Sequence, residues 1–382
     1  MPPDLKLLGQ KLQRYRSQLQ LSLSEVSART AIAVVSLEEY ESGARGPSGD
    51  ELLILADFFR CDYKDLVSGD KLTPLDRTET LFRRFGDAFN KADRRAVQDF
   101  MFLCESEEYL ERTIGQPRRT GKFVAKKIRN YYKKHAEDGA ADLRKFLKYD
   151  PHEVPRDIYQ DFRQLGMHLF RRKLENSNIS GVYLNHPSAG DCILINYSED
   201  IYRQRFTAAH EAAHALFDGE EEIVVSFWNA GELQEVRANN FASHFLMPPD
   251  FLARIPDSKH WNTEKLIEWA DKLRVNREPL IIALSNAGLI DSTTTDDLKR
   301  SRTKLTNKSD PELPITLSPL SRQRKSQLLE RGLSSHYVML CFEAFRRHVV
   351  TSSRLVELLL LDGDRELMEL ADLYKEQLDD AG

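Results

Sequence analysis

Apolar residues recur at helical spacing from the start of the chain. Leu5, Leu8 and Leu12 mark one face, followed by Leu21 and Val26, then Leu37 and Tyr40, then Leu52, Leu55 and Phe58. Ser22 and Ser24 are natural N-caps with Glu25 in the following turn, and Ser42-Gly43-Ala44-Arg45-Gly46-Pro47 is a helix stop. This pattern predicts a bundle of five short helices over residues 1–70. A second helical stretch covers about Asp76 to Glu111, and Gly115-Gln116-Pro117 breaks it. A basic helix from about Thr120 to His135 completes a connector spanning 71–154, which Asp150-Pro151 and Val154-Pro155 close.

The pattern then changes period. After a helix near Arg156 to Leu165, HLF (168–170), GVYL (181–184) and CILINY (192–197) are short and apolar or β-branched. Asn, Ser, Gly and Pro separate them, so they read as strands of a small sheet. Helices resume over 201–290. A polar segment rich in Ser, Thr, Asp and Lys, residues 292–316, reads as a linker to a C-terminal helical domain, 317–382. The fold class expected is mainly α with a small sheet (α+β), with 155–291 as the central domain.

Composition narrows the picture only slightly. Charged residues are 30% and hydrophobic ones 41% of the 382, as in ordinary globular proteins, and the net charge of -5 gives no whole-chain attraction to nucleic acid or acidic membranes. Cys61, Cys104, Cys192 and Cys341 are scattered without metal-ligand spacing and read as reduced, packed thiols. With no signal-peptide core and no run of roughly 18 apolar residues, a cytoplasmic protein without a membrane partner is expected.

The candidate chemistry lies in RFTAAHEAAHALFDG. His210 and His214 stand four residues apart, so on a helix both imidazoles reach one ion, and Glu211 projects beside them to take a proton from a metal-bound water. A catalytic zinc takes three protein ligands, so a third must come from another element. Glu235, Ala238, Asn239 and Ala242 share one helical face downstream; Glu235 is the third ligand, and Asn239 is placed to hydrogen-bond a ligand from behind. His244, the rival, lies nine residues on; at roughly 100° per residue it falls on the opposite face. One zinc ion per chain is expected. Arg237, Tyr202 and His260 are candidates for stabilising the oxyanion.

YRQRFTAAHEAAHALF followed by EVRANNFASHFLMP resembles the ImmA/IrrE-type metallopeptidases, in which an HExxH helix precedes an ExxAN-FA-x-x-LMP helix. The resemblance extends upstream through Gly181 and the CILIN strand and downstream over Leu266 to Ile290. It implies a zincin-like peptidase domain with ligands His210, His214 and Glu235 and catalytic Glu211. Ala212-Ala213 departs from the common Leu-Gly, but both are small.

Residues 22–59 resemble an Xre/Cro-type helix-turn-helix, whose reading helix is about Val34 to Glu41. That helix offers Val34, Val35, Ser36, Glu38 and Glu39, without a base-reading Arg, Lys, Asn or Gln. Residues 1–70 hold eight Lys/Arg against eleven Asp/Glu, a handicap on phosphate, so protein docking is favoured over operator binding. In the connector, Lys122, Lys126, Arg129 and Lys133 form a cationic stripe, either a solvated face or a contact for single-stranded DNA. His336, His348 and Cys341 read as packing residues.

Together these features point to a regulatory zinc endopeptidase that cuts a small helix-turn-helix repressor. Stress, mobile-element or phage-defence genes would be released, with DNA damage or single-stranded DNA as a trigger. The alternatives are a helix-turn-helix regulator or an antitoxin with a non-catalytic metal site.

Overall fold

The computed structural model describes residues 4–69, 74–115, 123, 125, 132–219, 223–227, 233–301 and 308–378. Five helices open the chain where the periodicity predicts them: α1 (Leu5–Gln18), α2 (Leu23–Thr30), α3 (Val34–Ser42), α4 (Gly49–Phe59) and α5 (Tyr63–Val67). α2 starts in a capping box, in which Ser22 accepts from the Glu25 N–H and Glu25 from the Ser22 N–H. α1 crosses α3 so closely that a Cβ on Gly9 would stand 2.3 Å from the Tyr40 carbonyl oxygen. Arg16 clamps this crossing with two bonds to Glu41, at 2.6 and 2.7 Å. Phe59, not Phe58 of the expected stripe, is the buried ring of α4; Phe58 sits at the border under the Arg95 guanidinium.

The stretch expected as one helix is two. α6 (Pro74–Phe85) and α7 (Lys91–Ile114) are parted by a 3-10 turn, Gly86–Ala88, and Asn90 caps the restart. α7 is tied to the N-terminal module: Arg94 Nη1 donates to the Gln18 carbonyl at 2.8 Å and Arg95 Nη1 to that of Phe58 at 2.6 Å.

Beyond it come α8 (Tyr132–Phe146), α9 (Ile158–Gln164) and the three expected strands, β1 (His168–Arg172), β2 (Ile179–His186) and β3 (Gly190–Asn196). α10 (Ile201–Phe217) carries the HExxH residues, and a fourth strand, β4 (Ile223–Phe227), follows it. The sheet runs β1-β3-β2-β4, with β1 parallel to β3 and the other pairs antiparallel. The helices α11 (Leu233–Leu246), α12 (Pro249–Ala253), α13 (Thr263–Leu273) and α14 (Arg277–Asn286) complete this region.

Both faces of the sheet are buried, which is why its strands read as nearly continuous apolar runs. Side chains alternate between two cores. Phe170, Val182, Leu184 and Leu194 pack with α7, while Leu169, Tyr183, Ile193 and Ile195 pack with α8, α10 and α11.

This division redraws the expected segments. α8, assigned from sequence to the connector, lies in the second core, and its Arg144 donates to the carbonyls of Phe245 (2.8 Å) and Glu153 (2.7 Å). The linker expected from residue 292 opens instead as α15 (Ser292–Arg300), because Asp291 caps it and Leu298 gives it a buried anchor. Past residues 302–307, Arg171 holds Asp310 at 2.7 Å. The C-terminal helices α16 (Pro319–Glu330), α17 (Ser335–Arg346), α18 (Ser352–Leu358) and α19 (Asp364–Tyr374) share the first core with α7 and the sheet. No described helix is long and apolar enough to cross a membrane.

Candidate metal centre

α10 is set by its cap and its small residues. Asp200 accepts from the N–H groups of Tyr202 and Arg203 at 3.1 and 3.2 Å. Ala208, Ala209, Ala212 and Ala213 are buried against α11, whose Ala238 and Ala242 are equally small, so the two backbones approach closely.

Across this contact His210, His214 and Glu235 converge. The two Nε2 atoms are 3.2 Å apart; Glu235 Oε2 lies 3.1 Å from His210 Nε2, and Oε1 lies 3.2 Å from His214 Nε2. Behind them, His214 Nδ1 donates to Asp218 Oδ2 at 2.9 Å, and His210 Nδ1 faces Asn239 Oδ1 at 3.1 Å. A neutral imidazole whose Nδ1 carries the proton presents a bare lone pair at Nε2. In that tautomer three acceptor groups face one another, and a proton or a metal cation held between them relieves the repulsion. Their spacing is close to the ~3.3 Å that tetrahedral bonds of ~2.0 Å impose. These residues fit a zinc ion.

The electrostatics agree. Burial disfavours charge on His214, yet Asp218 and Glu235 outweigh it and raise the ring to about 9. Glu235 is likewise penalised by burial, but His210 and His214 hold it at about 2, and its place in the first turn of α11 favours a carboxylate. Surroundings that bind a proton this firmly also favour a metal cation in its place.

Glu211 points to the other side of the pair. It is fully buried, and neither carboxylate oxygen has a hydrogen-bond partner among the described residues. Burial accordingly pushes its carboxyl up from the usual range. It fits beneath β2 because residue 181 is glycine: a Cβ there would stand 2.5 Å from Glu211 Oε1 and 2.8 Å from its Cγ. A buried acid with both oxygens unpaired suits a group that handles water.

His210, Glu211 and Glu235 line a cleft of about 470 Å³ with Phe206, Phe227 and Ile282 among its walls. With this geometry, the chain can be placed among known proteins. Residues 162–285 match the M78 peptidase family by its IrrE N-terminal-like domain, and residues 7–67 match a helix-turn-helix domain. The chain joins an IrrE-like peptidase domain to a helix-turn-helix domain. No curated protein matches it significantly.

Within the IrrE-like domain the other sequence candidates scatter. His244 turns away, its Nδ1 2.8 Å from the Asn240 carbonyl. Tyr202 lines the cleft, but its hydroxyl donates to Asp271 at 2.5 Å. Arg237 is not at the cleft: its guanidinium pairs with Asp218, behind His214. His260 sits in an exposed turn beside Asp257. Of the three, Tyr202 alone lines the cleft. Of the cationic stripe, Lys122, Lys126 and Arg129 lie outside the described residues, and Lys133 is exposed at the start of α8. Sequence reading missed Asp218, although its i+4 spacing from His214 was the available signal.

Proposed function

We propose that the chain is a zinc-dependent endopeptidase of narrow specificity whose substrate is a small helix-turn-helix repressor. The observation that carries this reading is the convergence of His210 Nε2, His214 Nε2 and the two Glu235 carboxylate oxygens, each imidazole nitrogen 3.1–3.2 Å from a carboxylate oxygen and the two nitrogens 3.2 Å apart. His210, His214 and Glu235 hold one zinc ion per chain. Zinc bound there supplies Lewis acidity, lowering the pKa of a bound water to about 7 and polarising a scissile carbonyl. Glu211 takes the proton from the attacking water and delivers it to the leaving amine. Asp218 fixes the tautomer of His214, and Asn239 steadies His210.

A peptide substrate fits the cleft's edge. β4 ends the sheet, pairing only with β2 among the described residues, and its Ser226 and Phe227 line the cleft. An extended segment can therefore add along it through main-chain bonds. The helix-turn-helix module supports a protein partner: α3 exposes Val35 at 65% beside exposed Glu38 and supplies no cation of its own, and the Arg45 guanidinium lying on it is engaged by Glu39 and Ser36.

Co-expression with the helix-turn-helix proteins encoded beside it tests the assignment. One of them should be cut into fragments that disappear with Glu211→Gln. Sequence-specific DNA binding by a folded full-length chain with no such fragments would favour the regulator reading instead. Gly181→Ala provides a second check. The added methyl pushes Glu211 by about 1 Å, a misplacement that costs roughly 100-fold in rate. Cleavage should fall accordingly while zinc content stays unchanged, and an undiminished rate would dissociate Glu211 from the chemistry.

A further inference from the structure

The opposite face of the sheet carries a second convergence of ligand-type side chains. α7 presents Glu107 and Glu111 one turn apart, and α17 brings His336 against them. Glu107 is 1% exposed. Its Oε2 lies 2.6 Å from His168 Nδ1 on β1, whereas its Oε1 is buried without a hydrogen-bond partner among the described residues. His336 Nε2 is also buried and unpartnered there. It lies 3.6 Å from Glu107 Oε1 and 4.0 Å from Glu111 Oε1.

Those separations are too long for a charge-assisted hydrogen bond, which closes to about 2.7–2.9 Å. The shorter lies just above, and the longer about 0.6 Å beyond, the ~3.4 Å between ligand atoms sharing a tetrahedral ion at ~2.1 Å, so His336 and Glu111 would draw together on an ion. One donor atom from each of the three residues falls within 4.8 Å of the others, a property shared among the described residues by this group and by His210, His214 and Glu235. Around the group, Glu108 adds a carboxylate 3.4 Å from His168 Nε2, and Arg163 adds a positive charge that acts on both Glu107 and His336. An orphaned carboxylate oxygen this deeply buried is costly unless something binds it.

We propose that Glu107, Glu111 and His336 form a second divalent transition-metal site, which staples the C-terminal helix α17 to α7. His168 holds the far oxygen of Glu107 and so aims the near one at the ion, the part that outer groups play at metal sites. Two carboxylates and one imidazole suit zinc or manganese. The ion is structural. It lies behind the sheet, on the face of Phe170 and Leu194, whereas Glu211 meets the face of Gly181 and Tyr183.

The test uses the full chain, stripped with chelator and dialysed against zinc, with bound metal measured by atomic emission. A His214→Ala, Glu235→Ala chain empties the cleft, so what it retains reads the second site alone. About one ion per chain should remain, and should be lost when His336→Ala is added. Cobalt in place of zinc should give visible absorption bands that vanish with the same change. Should the doubly changed chain not fold, Glu111→Gln alone serves, because the amide keeps the volume of that side chain, which is 19% exposed; zinc should then drop from about two ions per chain to one. No ion in the cleft-emptied chain, or equal binding with and without His336→Ala or Glu111→Gln, overturns the proposal. An empty cleft with a filled second site would instead count against the peptidase reading and leave this one standing.

Discussion

Glu211→Gln is expected to abolish proteolysis while leaving the protein as stable as before, or more stable. The rate should fall by about 10²–10⁴-fold, the contribution of a general base. Stability should not fall with it, because the wild-type carboxylate is fully buried with both oxygens unpaired. An amide occupies the same volume without the cost of burying a charge. Zinc content should be unchanged, since Glu211 is absent from the converging trio. Fragment yield, thermal midpoint and metal content together check this. A loss of folding with Glu211→Gln would mean that the carboxylate holds the structure together.

Glu235→Ala should do the converse and empty the cleft. Structural zinc sites with four ligands bind by ~10–16 kcal/mol, so one ligand is worth ~3 kcal/mol or more. That corresponds to at least ~100-fold in affinity. Dialysis against a zinc buffer at fixed free concentration measures it directly. His214, relieved of the carboxylate at 3.2 Å that helps to raise it, should also become easier to deprotonate. If the zinc affinity of the cleft were the same with Ala at 235, the third ligand would have to be another group.

Much of the cleft was legible before any coordinates because its information is local. The i, i+4 histidines announce a shared helical face, and the small residues of α11 announce a close neighbour. What could not be read depends on separation along the chain. β4, IVVSF, stands apart from the other apolar runs, on the far side of α10, and it is a strand because β2 offers an edge 43 positions upstream in sequence, with Val182 facing Val225. The separation of 61 positions from Glu107 to His168 hides their contact in the same way, and His336 reads as a packing residue until α7 lies beside it. Composition misled at Ser292–Arg300, where Ser, Thr and Asp look like a loop but a cap and one buried leucine make a helix. Segments that look like successive domains share cores because both faces of one sheet need covering.

The alternation along β2 from Gly181 to Leu184 also ties quality of assembly to competence. Gly181 faces Glu211 and Val182 the other core, so a slip of one residue would bring a branched side chain to the spot where only hydrogen is tolerated. A misthreaded molecule would thus be inert, not promiscuous.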